Sequence, residues 1–203
     1  MKFQLATAIA VFSGLCVAEP DDVQSKPFTL TLVSADKKVD GSTIASCHSG
    51  AGIQSLCYGK GGSAPAQTYR LNVTTGGDVK VDANKAGVPG SLNWPSPNEN
   101  LPPFQPMYLS TDYSSNVALP LVTVDTGHVD YVSFNKQGYM VFSSNLNDRV
   151  NPPKYEDKSR ELNNWYACTT YYGAYTYPTL AWVFGDKPQN PSCVKVSVKR
   201  TFK

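Results

Sequence analysis

Apolar and polar residues alternate along much of this chain with a period of two, and no segment keeps a helical period for three turns. The clearest run is Phe28-Thr29-Leu30-Thr31-Leu32-Val33. Phe28, Leu30 and Leu32 fall on one face, with Thr29 and Thr31 on the other. That pattern predicts a half-buried strand, opened by Pro27. Val194, Val196 and Val198 repeat it near the C-terminus, with Lys195, Ser197 and Lys199 between them. Shorter strand-like runs cover residues 67–74, 107–110, 117–124, 128–134 and 139–143. The turn residues Asp112, Ser114-Ser115-Asn116, Asp125-Thr126-Gly127 and Asn135-Lys136-Gln137-Gly138 separate the later ones. Pro120 makes 117–124 an edge strand at best, because proline cannot donate to a ladder. Short strands at this spacing predict an all-β fold, a single disulfide-stapled sandwich or barrel of short antiparallel strands, with a β-trefoil as the alternative.

Three stretches break the pattern. Residues 42–58 predict one short strand and one short helical turn, with His48-Ser49-Gly50-Ala51-Gly52 bending between them. Residues 87–106 hold Trp94 among Pro89, Pro95, Pro97, Pro102, Pro103 and Pro106, a density that predicts a long surface loop. Residues 145–162 are polar, contain Pro152-Pro153, and predict a helical turn at most, over 155–162.

The N-terminus reads as a secretory signal peptide over residues 1–18. Lys2 supplies the positive end, residues 5–17 the short apolar core, and Cys16-Val17-Ala18 the small residues before cleavage. Residues 19–26 are acidic and polar and predict a flexible leader, leaving 27–203 as a single all-β domain. No later stretch reaches transmembrane length. The formal charge of +2 falls by one when Lys2 is removed, so the chain has no electrostatic footprint for nucleic acid or anionic membranes. Charged residues are only 17% of the chain, against about 25% in an average domain. Gly, Pro, Ser, Thr, Asn and Tyr replace them, as in loop-rich extracellular β-proteins.

Removal of Cys16 turns an odd cysteine count into four: Cys47, Cys57, Cys168 and Cys193. In an oxidising compartment an even count predicts disulfides. Of three connectivities, Cys47–Cys57 with Cys168–Cys193 is preferred. The first would close a local loop and the second would tie the aromatic segment to the last strand. The spacings match no common zinc motif and only His48 and His128 could add imidazole ligands, so neither metal nor cofactor is expected. Asn72-Val73-Thr74 is the usable glycosylation sequon, since Pro191 blocks Asn190-Pro191-Ser192.

No catalytic set is legible. His48 beside Cys47, Ser46 and Ser49 has no orienting third group. His128 sits between Asp125 and Asp130 and reads as a hairpin residue. For a polysaccharide hydrolase, the acids to consider are Asp148, Glu156 and Asp186, all in polar, turn-like surroundings. The segment 163–202 is where a ligand is expected instead. Trp165, Leu180, Trp182 and Phe184 alternate as a buried face. Tyr171, Tyr172, Tyr175 and Tyr177 surround Gly173, which should break the strand and expose a loop tip. Exposed tyrosines present apolar ring faces and hydrogen-bonding tips, the chemistry of a sugar-stacking platform.

The segments PFTLTL at residues 27–32, ASCHSGAGIQSLCYG at 45–59, SSNVALPL at 114–121 and NNWYACTTYYGAYTYPTLAWVFGDKPQNPSCVKVSVKR at 163–200 resemble a family of small secreted proteins of filamentous ascomycete fungi with no settled biochemical function. The resemblance covers nearly the whole mature chain. It implies an extracellular or cell-wall protein with two disulfides, directed at a wall glycan or a host extracellular component, and it carries no catalytic residues over. A purely structural wall protein is the remaining reading.

Overall fold

The computed structural model describes residues 22–61, 67–75, 80–96, 99–100, 102–125 and 127–203. The expected signal peptide at 1–18 and part of the glycine loop after Gly59 lie outside the described residues.

Among the described residues, fifteen strands are linked by antiparallel pairing into one curled sheet, so the fold is all-β and takes the form of a half-barrel. β1 is Asp22–Gln24, β2 Phe28–Val33, β3 Thr43–Gly50, β4 Ile53–Gly59, β5 Arg70–Thr74, β6 Gly90–Pro95, β7 Phe104–Ser110 and β8 Val117–Thr123. β9 is Tyr131–Phe134, β10 Met140–Asn147, β11 Lys154–Leu162, β12 Trp165–Tyr172, β13 Tyr175–Val183, β14 Val194–Lys195 and β15 Ser197–Phe202. The main path runs β11-β10-β9-β6-β7-β8-β13-β4-β3-β2-β15. Curling brings β15 back to the start of β10, where Tyr139 and Lys199 form a single bridge and the Arg200 amide donates to the Gly138 carbonyl at 2.9 Å.

The concave side is filled by the residues that alternation selects. Phe28, Leu30 and Leu32 are fully buried, as are Leu71, Leu92, Trp165, Leu180 and Val198. The C-terminal valine run is divided between two partners. Val194 and Lys195 pair with β12, whereas Ser197 to Phe202 pair with β2. Because the side-chain period survives the change, Val196 and Val198 still face the core. Carried two residues further, the same period puts Arg200 inside. Its guanidinium lies 4.2 Å from the Phe134 ring centroid and 4.4 Å from that of Phe202, and one of its N–H groups donates to the Asn84 carbonyl. Aromatic faces, with their negative quadrupole, thus stand in for a carboxylate.

Several expectations are corrected. Residues 42–58 contain no helical turn. They form the β3–β4 hairpin, with Ala45 opposite Cys57 and Cys47 opposite Ser55, and Gly52 at φ 69 in its turn. The preferred disulfides, Cys47–Cys57 and Cys168–Cys193, are both present. Residues 87–106 are not one surface loop: β6 and β7 pair across them, and Trp94 is buried with its indole N–H donating to the Gln67 side-chain oxygen at 2.7 Å. That oxygen also accepts from the Ser46 amide at 2.8 Å, so one glutamine joins β3 to the Trp94 ring of β6. Residues 145–162 form the β10–β11 hairpin, whose outer strand is charged and mostly exposed. Charge on an edge strand opposes pairing with other chains, and it also removes the apolar signal by which strands are recognised.

Pro120 is not in an edge strand. β8 has β7 on one side, while on the other it pairs with β13 through Val117 and Ala118 and with β4 through Leu121 to Thr123. The proline falls where the ladder passes from β13 to β4, so its missing donor costs no regular pair. Part of the expected leader is also ordered. Asp22 to Gln24 zip onto Thr74 to Asn72, and the buried Ser25 hydroxyl accepts from the Leu71 amide at 2.9 Å. Val23 is the strand's single apolar side chain and packs on the core, and main-chain and hydroxyl bonds supply the rest, so no alternation announced it.

Gly90 opens β6 where β5 passes closely. A Cβ there would lie 2.6 Å from the Asn72 carbonyl oxygen and 2.9 Å from Leu71 Cγ. Backbone cannot yield cheaply, so Gly90→Ala is expected to destabilise the fold by about 2–3 kcal/mol, read as a lower urea midpoint. A midpoint equal to that of the parent would refute the close approach.

Candidate functional site

The β12–β13 hairpin supplies both the scaffold and the candidate ligand surface. Its register runs from Trp165–Trp182 to Tyr172–Tyr175 without a break, and Gly173-Ala174 closes it as a two-residue turn. Gly173 has φ 59, the left-handed conformation such turns require. Trp165, Ala167, Leu180 and Trp182 belong to the main core. Cys168, Ala181 and Val183 face the other way and form a second apolar cluster with Val117.

The same alternation divides the four tyrosines. Tyr172, Tyr175 and Tyr177 share a face with Thr170 and Thr179, whereas Tyr171 is on the opposite face, across from Thr176. Tyr175 and Tyr177 stack with centroids 5.7 Å apart and planes at 8°, and His48 meets Tyr175 edge-on at 5.4 Å. Tyr172 is hydrogen-bonded to Tyr108 of β7. Burial, followed by the Tyr172 contact and the Asp125 charge, pushes the Tyr108 phenol up to about 12. Tyr171 makes no comparable commitment and is 70% exposed.

Tyr171, Tyr172 and Gly173 form one wall of a cleft of about 450 Å3. The β7–β8 connection forms the other, with Ser110, Thr111, Asp112, Ser114 and Ser115. Val117, Leu119 and Thr170 line it further and Asn190 closes one end. Tyr113, between two lining residues in the chain, is fully exposed.

The walls are held before any ligand arrives. Asp112 accepts from the Ser114 amide at 2.8 Å and the Ser114 hydroxyl at 2.5 Å, and these bonds hold its carboxyl below the usual carboxylate range. Asn190 donates to the Thr169 carbonyl at 2.8 Å and accepts from the Ser192 amide and hydroxyl. The Asn116 side chain donates to the Phe184 and Lys187 carbonyls and accepts from the Gln189 amide. The resulting lining is rich in hydroxyls, carries one carboxylate and is edged by two phenols.

The residues considered for acid chemistry do not reach this cleft. Asp148 and Glu156 belong to the β10–β11 hairpin and Asp186 to the β13–β14 connection. Glu156 accepts from the Asn147 amide group at 2.8 Å and sits 3.5 Å from Lys154, both of which lower its pKa. A proton donor needs the opposite shift. His128 is 3.5 Å from Asp130, whose carboxylate is fixed by the Leu109 amide at 2.6 Å. Among the described residues no three metal-ligating side chains converge, and no helix is long and apolar enough to cross a membrane. Asn72 is half-buried in β5 and its Oδ1 accepts from the Gln24 side chain at 3.1 Å. Its side chain lies in a shallow groove with Thr74 and Tyr131.

Fold and site together define a disulfide-stapled β half-barrel with a hydroxyl-lined, phenol-edged cleft in which Asp112 is the carboxylate among the described residues. The chain belongs to the family described as a domain of unknown function, DUF7907, whose model matches residues 25–202. No curated protein and no solved structure matches it.

Proposed function

We propose that this is a secreted, non-catalytic fungal protein of the extracellular space or cell wall that binds a neutral wall glycan, or a host glycan of like chemistry, in the cleft between the β7–β8 connection and the β12–β13 hairpin. The observation that carries this reading is the exposed Tyr171 ring on a cleft otherwise lined largely by serine and threonine hydroxyls. Ring faces cover the apolar face of a pyranose and hydroxyls exchange hydrogen bonds with its edge. Tyr172 lines the same wall. Tyr175 and Tyr177, packed on each other and on His48, continue the same face beyond the cleft. The signal-peptide pattern and the two disulfides support an oxidising destination, and Asn72 is the proposed site of an N-linked glycan.

Retention on chitin or β-glucan tests the reading. Tyr171→Ala is expected to weaken retention about tenfold, the loss of one stacking contact worth roughly 1.4 kcal/mol. Tyr175→Ala, outside the cleft, should leave it unchanged. Undiminished retention in Tyr171→Ala would reject the cleft as the glycan site.

A further inference from the structure

A second cleft, of about 410 Å3, opens where β7, β10, β11 and β13 meet. It touches the first only through Thr111, which borders both. One side is apolar, formed by Leu109, Phe142, Leu162, Trp182 and Phe184. Behind it Phe142, Trp165 and Trp182 pack against one another with centroids 5.5, 4.7 and 4.9 Å apart, so the wall has a firm backing. Phe184 remains 48% exposed although Val183 beside it is fully buried.

The other side is polar. Asp130 is positioned by the Leu109 amide, which donates to its Oδ2 at 2.6 Å, and His128 Nε2 lies 3.5 Å from the same oxygen. No lysine or arginine lines the cleft among the described residues. Asp130 is the carboxylate among its lining residues.

We propose that this cleft binds a small organic cation: a primary amine carried on an aromatic or compact aliphatic ring. The ring lies against Trp182 and Phe184, and the ammonium donates to the Asp130 carboxylate. The volume falls within the range of small-molecule sites, about 300–1,000 Å3. The charge decides the class. A neutral apolar ligand would strip water from a carboxylate and leave it with only the Leu109 amide and the His128 ring for partners, and an anion would be repelled by it. An ammonium satisfies the carboxylate and is attracted to the adjacent ring faces.

The test is titration of the full chain with phenethylamine and with its neutral counterpart 2-phenylethanol, followed by calorimetry and tryptophan fluorescence. Phenethylamine is expected to bind saturably, one per chain, at least about tenfold tighter than the alcohol, as a charge-assisted hydrogen bond gives. Asp130→Asn should abolish that preference; its amide oxygen can still accept from Leu109, so the fold is retained. Phe184→Ser, at a half-exposed position, should weaken both probes, and Tyr171→Ala neither. The proposal is overturned by absence of saturable phenethylamine binding, by equal affinity for the two probes, or by a preference that survives Asp130→Asn.

Discussion

Trp165→Ala is expected to lower the unfolding free energy by about 3–5 kcal/mol, the largest effect of any single truncation considered for this fold. The indole is fully buried between Phe142, stacked on it at 5.5 Å, and Trp182, edge-on at 4.9 Å. Its N–H donates to the Met140 carbonyl at 2.9 Å, so the ring ties β12 to β10 across the concave side. Truncation removes the apolar area, opens a cavity against two other rings, and leaves a buried carbonyl without its donor. Trp165→Phe separates these effects. It restores most of the area but not the hydrogen bond, and should cost roughly 1–3 kcal/mol. Urea unfolding followed by circular dichroism reads both. Equal midpoints for Trp165→Ala and the parent protein would show that the ring cluster does not stabilise the curl.

Removing the Cys168–Cys193 disulfide by paired alanine substitution is expected to cost roughly 3.5 kcal/mol, more than the roughly 2.7 kcal/mol for Cys47–Cys57. The difference begins with loop length, a sequence separation of 25 against 10. Local structure widens it. Cys47 and Cys57 lie on two strands of one hairpin, already held by the β3–β4 ladder. Cys168 is fully buried in the second cluster, and its bridge anchors the long connection that ends at β14. That connection carries Asn190, so the same double variant should also loosen the glycan cleft. Denaturant midpoints of the two double variants decide the ranking. A larger loss on removing Cys47–Cys57 would mean that loop length does not govern these bridges.

Local alternation alone determined the all-β class, the burial of Phe28, Leu30 and Leu32, and the inward face of Trp165, Leu180 and Trp182, because period two is a property of the extended backbone itself. Phe184, expected on the same buried face, lies past the end of β13 and is 48% exposed. The four cysteines and their spacings were likewise enough to favour the pairing that is observed. Other strands were not legible: β1 has few apolar side chains, β11 is charged on an exposed edge, and β6 and the first residues of β7 are obscured by prolines although Leu92 and Trp94 lie in the core. Pro120 misled for a related reason, since only the tertiary arrangement shows the ladder changing partner beside it. The candidate site shows the same division. Sequence singled out Tyr171 to Tyr177, but a period of two sends Tyr171 to one face and Tyr172, Tyr175 and Tyr177 to the other. Ser114 and Ser115, more than fifty residues away in the chain, share a cleft with Tyr171 only because β8 pairs with both β7 and β13. Which residues line a cleft together, and which carboxylate stands opposite an aromatic wall, depends on long-range strand pairing that no local pattern encodes.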